Sequence, residues 1–345
     1  MAAVATRNID AARACASAWS IPHAFASAEE MIDHPGVDLV VAAIKTPQHR
    51  GVVEYAIAAG KHVYCEWPLG EDMTESKRLA RAAQDRGIAH VIGLQGLHSA
   101  GARWVRSLIN GGRIGELRSI SASAVGALGG GRYPQSSRWA ADPAMGTTIL
   151  TIRTAHVMAT LMAALGDTFS EISAIVAHLD PDATVIETGE RFTAGSPDQV
   201  AIMGTLRNGA VVSVAVQGGR PRTEPSFAIE IVGTDGALSV SPGGAGASPH
   251  VAPWRVLHKP VTGEPELLPV PERYHVLPES TLAGPPANVA ALYREISTAI
   301  AEGRAPWPNF GNAIEHYAFI EAVEAASRSG QRVRVGEQLS GFPYD

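Results

Sequence analysis

His156 opens an apolar run at 155–165, and Arg153 stands three residues before it. A histidine carries a proton near neutral pH, although one on an apolar helix, taken alone, is more often a buried structural residue. Arg153 offers a planar fork of donors suited to a carboxylate or phosphate, or is an ordinary exposed cation. A second group of polar residues lies at the ends of β-type runs: Thr6 and Arg7 after AAVA, Thr46, Pro47 and His49 after DLVVAAI, Glu66 in HVYCEW, and Gln95 and His98 after AHVIG. Open parallel sheets bind ligands along this carboxyl edge. At the end of the strand that meets an adenosine ribose, an acidic residue would grip the 2′-hydroxyl. The hydroxyl and arginine of Thr6 and Arg7 suit the 2′-phosphate of NADP, with NAD the other candidate. Trp139, in SSRWAADP, is a candidate for the substrate side or a packed aromatic.

Other chemistries lack their residues. The two cysteines, Cys15 and Cys65, make neither a disulfide framework nor a zinc site. Scattered histidines without H-x-x-x-H spacing or a carboxylate-rich loop give no metal site, and no G-x-S-x-G elbow appears. With 34 acidic against 28 basic residues and a net charge of -6, no cationic stripe tracks a phosphate backbone, so direct nucleic-acid binding is not expected. No uninterrupted apolar run reaches about 18 residues, and Arg7, Asp10 and Arg13 break the first twenty. The expectation is a cytoplasmic protein without membrane attachment. Its 345 residues, 46% apolar and 18% charged, suit two domains with substantial cores.

The elements that must position these residues follow two patterns. From 2 to 93, short apolar β-type runs alternate with helical ones at 10–19, 52–59 and 73–86, and Gly60 and Gly87 stop helices before the next strand. That is parallel α/β alternation with strands covered on both faces. SIPHAF, after the first helix, reads as a loop. From about 117 the strand runs succeed one another at 117–125, 171–179, 199–207, 210–218, 227–234 and 237–241, with helices at 155–165, 288–302 and 312–327. Asn208-Gly209 and Asp235-Gly236 signal hairpins. The stretch 242–253, rich in Gly, Pro and Ser, reads as a surface loop. The fold class is α/β: a Rossmann-type parallel sheet over 1–98, followed over 99–345 by an α+β domain with a large, mostly antiparallel open sheet.

A dinucleotide-binding half opens with a strand, a G-x-G-x-x-G turn and a helix. Here the chain enters at what reads as the second strand. Gly129-Gly130-Gly131 runs into RYPQSSRW, which is no helix start, and reads as a plain flexible loop. Either the chain starts about 30 residues late or it has dispensed with the phosphate-binding turn; the late start is the expectation, because losing the central strand leaves its two neighbours unpaired.

Several segments together resemble one family. VATR at 4–7, KTPQH at 45–49, AGKHVYCEWPLG at 59–70, GGRIGEL at 111–117, the helix carrying His156 and IVGTDGAL at 231–238 are similar to the Gfo/Idh/MocA oxidoreductases, over nearly the whole chain. IKTPQHRGVV, EWPL, LQG at 94–96, VQGGRP at 216–221 and PDQVAIMGTLRNG at 197–209 resemble the branch of the fungal galactose-regulon repressor, a dinucleotide-binding regulator without catalysis.

The resemblance implies an NAD- or NADP-binding domain, held through Thr6, Arg7, Thr46, Pro47, His49, Glu66, Trp67, Pro68 and Gln95. It implies a substrate site of Trp67, His98, Trp139, Arg153 and His156. The family's E-K-P lysine, which assists proton transfer, falls on Trp67, which has one N–H donor and no acid–base capacity. Trp67 either packs between domains or walls a nicotinamide or sugar face. His156 matches the histidine of the family's D-x-G-x-H motif, while its aspartate falls on Ile152 and its glycine on Thr154. The implied activity is NAD(P)-dependent hydride transfer at a carbinol or carbonyl carbon of a sugar or polyol, with His156 as proton shuttle. The alternatives are a catalytically silent dinucleotide or sugar sensor acting through a protein partner, and a lyase or glycosidase that borrows and returns hydride. Self-association through the C-terminal sheet is also implied.

Overall fold

A computed structural model describes residues 1–126, 130–219, 226–244, 248–276 and 285–336. Gly129, and Arg220 and Pro221 of the VQGGRP segment, lie outside the described residues. The chain divides into two compact units, one of residues 1–93 with 295–314, the other of 94–294 with 315–345.

The first unit is a parallel α/β structure. Strands β1 (Ala3–Ala5) and β2 (His23–Phe25) pair with each other, and β3 (Leu39–Ala42), β4 (His62–Glu66) and β5 (His90–Gly93) form a second parallel sheet in that order. β2 corrects the expected loop at SIPHAF. Three residues behind Ile21-Pro22 are too few to show an alternating pattern, and pairing with β1 makes them a strand. Among the described residues β1 pairs only with β2, and β3 only with β4. The parallel sheet is therefore two half-sheets, and Val41 of β3 is 38% exposed.

Helices α1 (Ile9–Trp19), α2 (Ala28–Ile32), α3 (His49–Ala58) and α4 (Met73–Arg86) link the strands. Their ends are written locally. The Asn8 side chain accepts from the Asp10 and Ala11 amides, and Asp72 caps α4 by accepting from Glu75. Gly87 closes α4 with φ of +69°.

The second unit is built on a nine-stranded sheet. Its strands are β6 (Leu117–Val125), β8 (Phe169–Ala177), β11 (Gln199–Leu206), β12 (Val211–Gln217), β13 (Phe227–Gly233), β14 (Gly236–Pro242), β15 (Trp254–Pro260), β16 (Glu266–Leu268) and β17 (Val333–Arg334), in the order β16-β15-β14-β13-β6-β12-β11-β8-β17. A smaller sheet has the order β10-β9-β7, from Arg191–Thr193, Asp182–Val185 and Arg132–Tyr133. Among the described residues, only the β12–β6 pairing of the large sheet is parallel. Asn208-Gly209 and Asp235-Gly236 join the antiparallel pairs β11–β12 and β13–β14.

Strand alternation sends Val212, Val214, Val216, Ile229, Ile231, Leu238 and Val256 inward. Helix α6 (Ala155–Leu165) is buried along its whole length, and α5 (Ala100–Asn110) packs on it. By length and composition Pro143–Leu165 would cross a membrane, yet most of it is interior here. Helices α7 (Pro285–Glu302) and α8 (Phe310–Ser329) each divide their residues between the two units. Gly130, at φ of +68°, lies backbone to backbone against Gly219, where a Cβ would collide. That close approach, rather than flexibility, accounts for the glycine.

Candidate functional site

In the second unit the site begins with a turn that departs from α-geometry. Residues Ile149–Thr154 form a π-helical turn, a feature frequent at functional sites. Thr148 and Thr151 hold its entry reciprocally: the Thr151 amide donates to Thr148 Oγ1 at 3.1 Å, and the Thr148 amide to Thr151 Oγ1 at 2.8 Å. Thr154 Oγ1 donates to the Ile149 carbonyl at 3.0 Å, supplying a wide turn with an extra donor. The turn carries Arg153 and runs into α6, whose second residue is His156.

His156 is 7% exposed and stacks on His250, with ring centroids 4.3 Å apart and planes 15° from parallel. His250 is fixed from both sides. Ser248 Oγ lies 2.8 Å from its Nδ1, and Asn288 Nδ2 donates to its carbonyl at 2.8 Å. Gly96 lets the Gln95–His98 turn reach this place, because a Cβ there would strike Thr160 Oγ1 and His250 Cβ. Thr160 Oγ1 in turn donates to the His156 carbonyl at 2.8 Å. Beside them Ser99, Gly101, Val251, Trp254, His275 and Asn288 line a cavity of about 250 Å³. The 242–253 stretch is thus no surface loop at 248–252: Ser248, His250 and Ala252 are buried. Its composition favours turns, but the Trp254 indole, donating to the Pro249 carbonyl at 2.9 Å, anchors it inward.

The electrostatics keep these rings neutral. Burial, then Arg153, then His316 push His156 down to about 3. Burial, then His156 and Arg153, hold His250 well below 6.5, and burial takes His316 to about 4. Burial also lowers Arg153. Two polar atoms here are buried without a partner, His156 Nδ1 and Gln95 Oε1. Buried polar atoms are nearly always paired, so each of these two is open to a hydrogen-bonding ligand.

The first unit gathers a different group. His49, 1% exposed, has Nδ1 2.7 Å from the Pro68 carbonyl and Nε2 2.9 Å from the Ile44 carbonyl, with Cys65 Sγ 3.4 Å from Nδ1. Burial lowers its pKa, against those carbonyls, which raise it. Glu66 accepts from Tyr64 at 3.1 Å, and burial raises its pKa. Gly93 leaves room for the Glu66 carboxyl, which a Cβ would meet. Thr46, Trp67 and Pro68 are buried, and Pro47 is half-buried.

Thr6 and Arg7 close β1. The Thr6 hydroxyl donates to the Asn8 carbonyl at 2.6 Å, and Arg7 is exposed. Among the described residues no glycine-rich strand–turn–helix supplies a pyrophosphate cradle. At the end of β1 stand the Thr6 hydroxyl and the exposed Arg7 guanidinium, polar groups that suit a nucleotide ribose.

The structure thus brings Arg153, His156 and the Gln95–His98 turn into one unit, and joins His49 to Pro68 in the other. The Trp139 indole donates to the Ser136 carbonyl at 3.0 Å within the 3-10 turn Gln135–Ala141. His98 is 6% exposed. Sequence reasoning missed Ser248, His250 and His316. No spacing pattern links them to His156, because they arrive from a turn-rich segment and a separate helix.

Residues 1–93 match the family profile described as oxidoreductase family, NAD-binding Rossmann fold, and residues 102–242 match Gal80p, C-terminal domain. The galactose/lactose metabolism regulatory protein of Saccharomyces cerevisiae is 29% identical over 63% of this chain and 53% of its own length. The matched stretch therefore spans about half of that regulator. A crystal structure of its super-repressor mutant superposes with a TM-score of 0.83 at 22% identity, covering 98% of this chain and 90% of that one. The dehydrogenase aclE of Aspergillus oryzae is 27% identical over 69% of this chain and 66% of its own. Levoglucosan dehydrogenase in complex with NADH and L-sorbose gives a TM-score of 0.82 at 20% identity, over 98% and 90% of the two chains. Residues 1–93 thus match the NAD-binding Rossmann domain of the oxidoreductase family and residues 102–242 the Gal80p C-terminal domain, and the chain is similar to both Gal80-type regulators and dehydrogenases.

Proposed function

We propose that the chain is an NAD(P)-dependent oxidoreductase acting on a carbinol or carbonyl carbon of a sugar-like substrate. The observation that carries this reading is the buried, partnerless Nδ1 of His156. A bound nicotinamide dinucleotide supplies hydride acceptance and donation. The residues that would hold it are Thr6, Arg7, Thr46, Pro47, His49, Glu66, Trp67, Pro68 and Gln95, with Arg7 favouring NADP. His156, neutral in the free protein, takes the proton of a substrate hydroxyl and returns it in the reverse direction. Gln95 Oε1 accepts from a second hydroxyl, His98 and Trp139 border the substrate, and the His250 stack fixes the His156 ring. Trp67 contributes a wall and no proton.

The family setting adds two parts to the reading: a cytoplasmic location, and self-association through the outer face of the nine-stranded sheet. That face carries the exposed apolar residues Ile175, Met203 and Val211. A second reading, a sensor that binds a dinucleotide or sugar and acts through a protein partner, is favoured by Trp67 in the lysine slot and Ile152 in the aspartate slot.

Turnover separates the two. Sugars, polyols and sugar acids are offered with NAD and NADP, and nicotinamide absorbance is followed for wild type and His156→Asn. The oxidoreductase reading expects conversion that falls by about 10²-fold or more in the variant. Conversion unchanged in His156→Asn contradicts it, and dinucleotide binding with no conversion across the panel favours the sensor.

A further inference from the structure

Four arginines are half-buried among the described residues. Arg103 donates to the Tyr274 carbonyl at 3.3 Å, Arg138 pairs with Glu190 at 3.0 Å, and Arg106 has an interaction but keeps Nε and Nη1 buried without a partner. Arg153 has no carboxylate and no hydrogen-bond acceptor among the described residues. The groups it acts on are His156 and His250, and it disfavours positive charge on both. A partly buried guanidinium without a counter-charge, still open to solvent, is placed to receive an anion from a ligand. The exposed Arg7 is instead solvated by water.

A second observation points the same way. On the His156 helix and the Gln95–His98 turn, His156 Nδ1 and Gln95 Oε1 are buried without a partner. The glycine contact of the Gln95–His98 turn with Thr160 and His250 ties that turn to the His156 helix. Hydroxyl donors would satisfy those two atoms, and an anion would satisfy the guanidinium.

We propose that this site takes a polyhydroxylated acid: a substrate whose carboxylate or phosphate seats on the Arg153 guanidinium while its hydroxyls meet His156 Nδ1 and Gln95 Oε1. The planar fork of arginine suits either anion with two parallel hydrogen bonds. The anion also offsets the positive field at His156, so the ring becomes a better base when an acidic substrate is present than in the free protein. The turnover of that substrate rests on the oxidoreductase reading, whereas the anion seat does not.

The test is calorimetric binding of D-glucuronate, D-glucose 6-phosphate and neutral D-glucose to the chain, to Arg153→Gln and to Arg153→Lys. At least one acid is expected to bind about 10-fold or more tightly than D-glucose, with the preference erased in Arg153→Gln and partly kept in Arg153→Lys. Which acid prevails distinguishes a carboxylate from a phosphate. Thermal melts give a second readout: removing an unpaired, half-buried charge leaves Arg153→Gln as stable as wild type or more so. Equal binding of acids and D-glucose, an acid preference unchanged in Arg153→Gln, a markedly less stable variant, or no acid binding at about 10 mM, above the usual range of KM, overturns the proposal. Acid binding through Arg153 without NAD(P)-linked conversion keeps the seat and removes the oxidoreductase reading. Conversion of neutral sugars, unaffected by Arg153→Gln, does the reverse.

Discussion

Each unit buries a histidine near the end of an apolar element, and the two are equipped in opposite ways. His49 has a backbone carbonyl at each ring nitrogen, from Pro68 and Ile44, so it clamps the segment after β4 to the segment after β3. His156 has a ring stacked on its face and nothing at Nδ1. A side chain whose hydrogen bonds are all made within the protein is spent on structure. One that is buried, positioned and unpaired is held for something else, and stability is given up to keep it so.

The sharpest way to break the comparison is to truncate both rings. His49→Ala removes the one N–H that a neutral ring gives to these carbonyls, in addition to the lost packing. It is expected to cost about 2–3 kcal/mol more than His156→Ala in urea unfolding. Equal losses would show that His156 makes structural hydrogen bonds after all.

Acid sharpens it further. The folded pKa values of His156 and His316, about 3 and about 4, lie below the 6.5 of an unfolded histidine. Between those values the unfolded chain binds protons that the folded chain refuses, so stability falls as pH drops below 6.5. The slope is at most about 1.4 kcal/mol per pH unit for each such ring. Melting temperatures from pH 7 to 5 should decline, and His156→Asn should decline less steeply. Parallel curves would remove His156 from the group of neutral buried rings.

Much of the architecture was legible because its signals are local. The Asn208-Gly209 and Asp235-Gly236 turns, the alternation of Val212, Val214 and Val216, and the glycine stop at Gly87 each act over a few residues. β2 was missed because three residues carry no period. The site was legible only where family motifs reach it. Arg153 and His156 share one stretch of chain, and the Glu66–Pro68 motif marks the first unit. His250 and Ser248 were hidden in a segment whose composition favours turns, since burial there comes from Trp254 and Asn288, which are distant in pattern and visible only in three dimensions.

The central claim is that His156 is neutral and keeps a ring nitrogen free for a ligand. Long-range ¹H–¹⁵N spectra of histidine-labelled chain, with the His156 signals assigned by their loss in His156→Asn, test it directly. The account predicts that His156 keeps a single neutral form from pH 7.5 to 5 and that its Nδ1 shift moves when D-glucuronate or D-glucose 6-phosphate is added. A titration midpoint near 6.5 in the free chain, or an Nδ1 signal already hydrogen-bonded and indifferent to both acids, would contradict it.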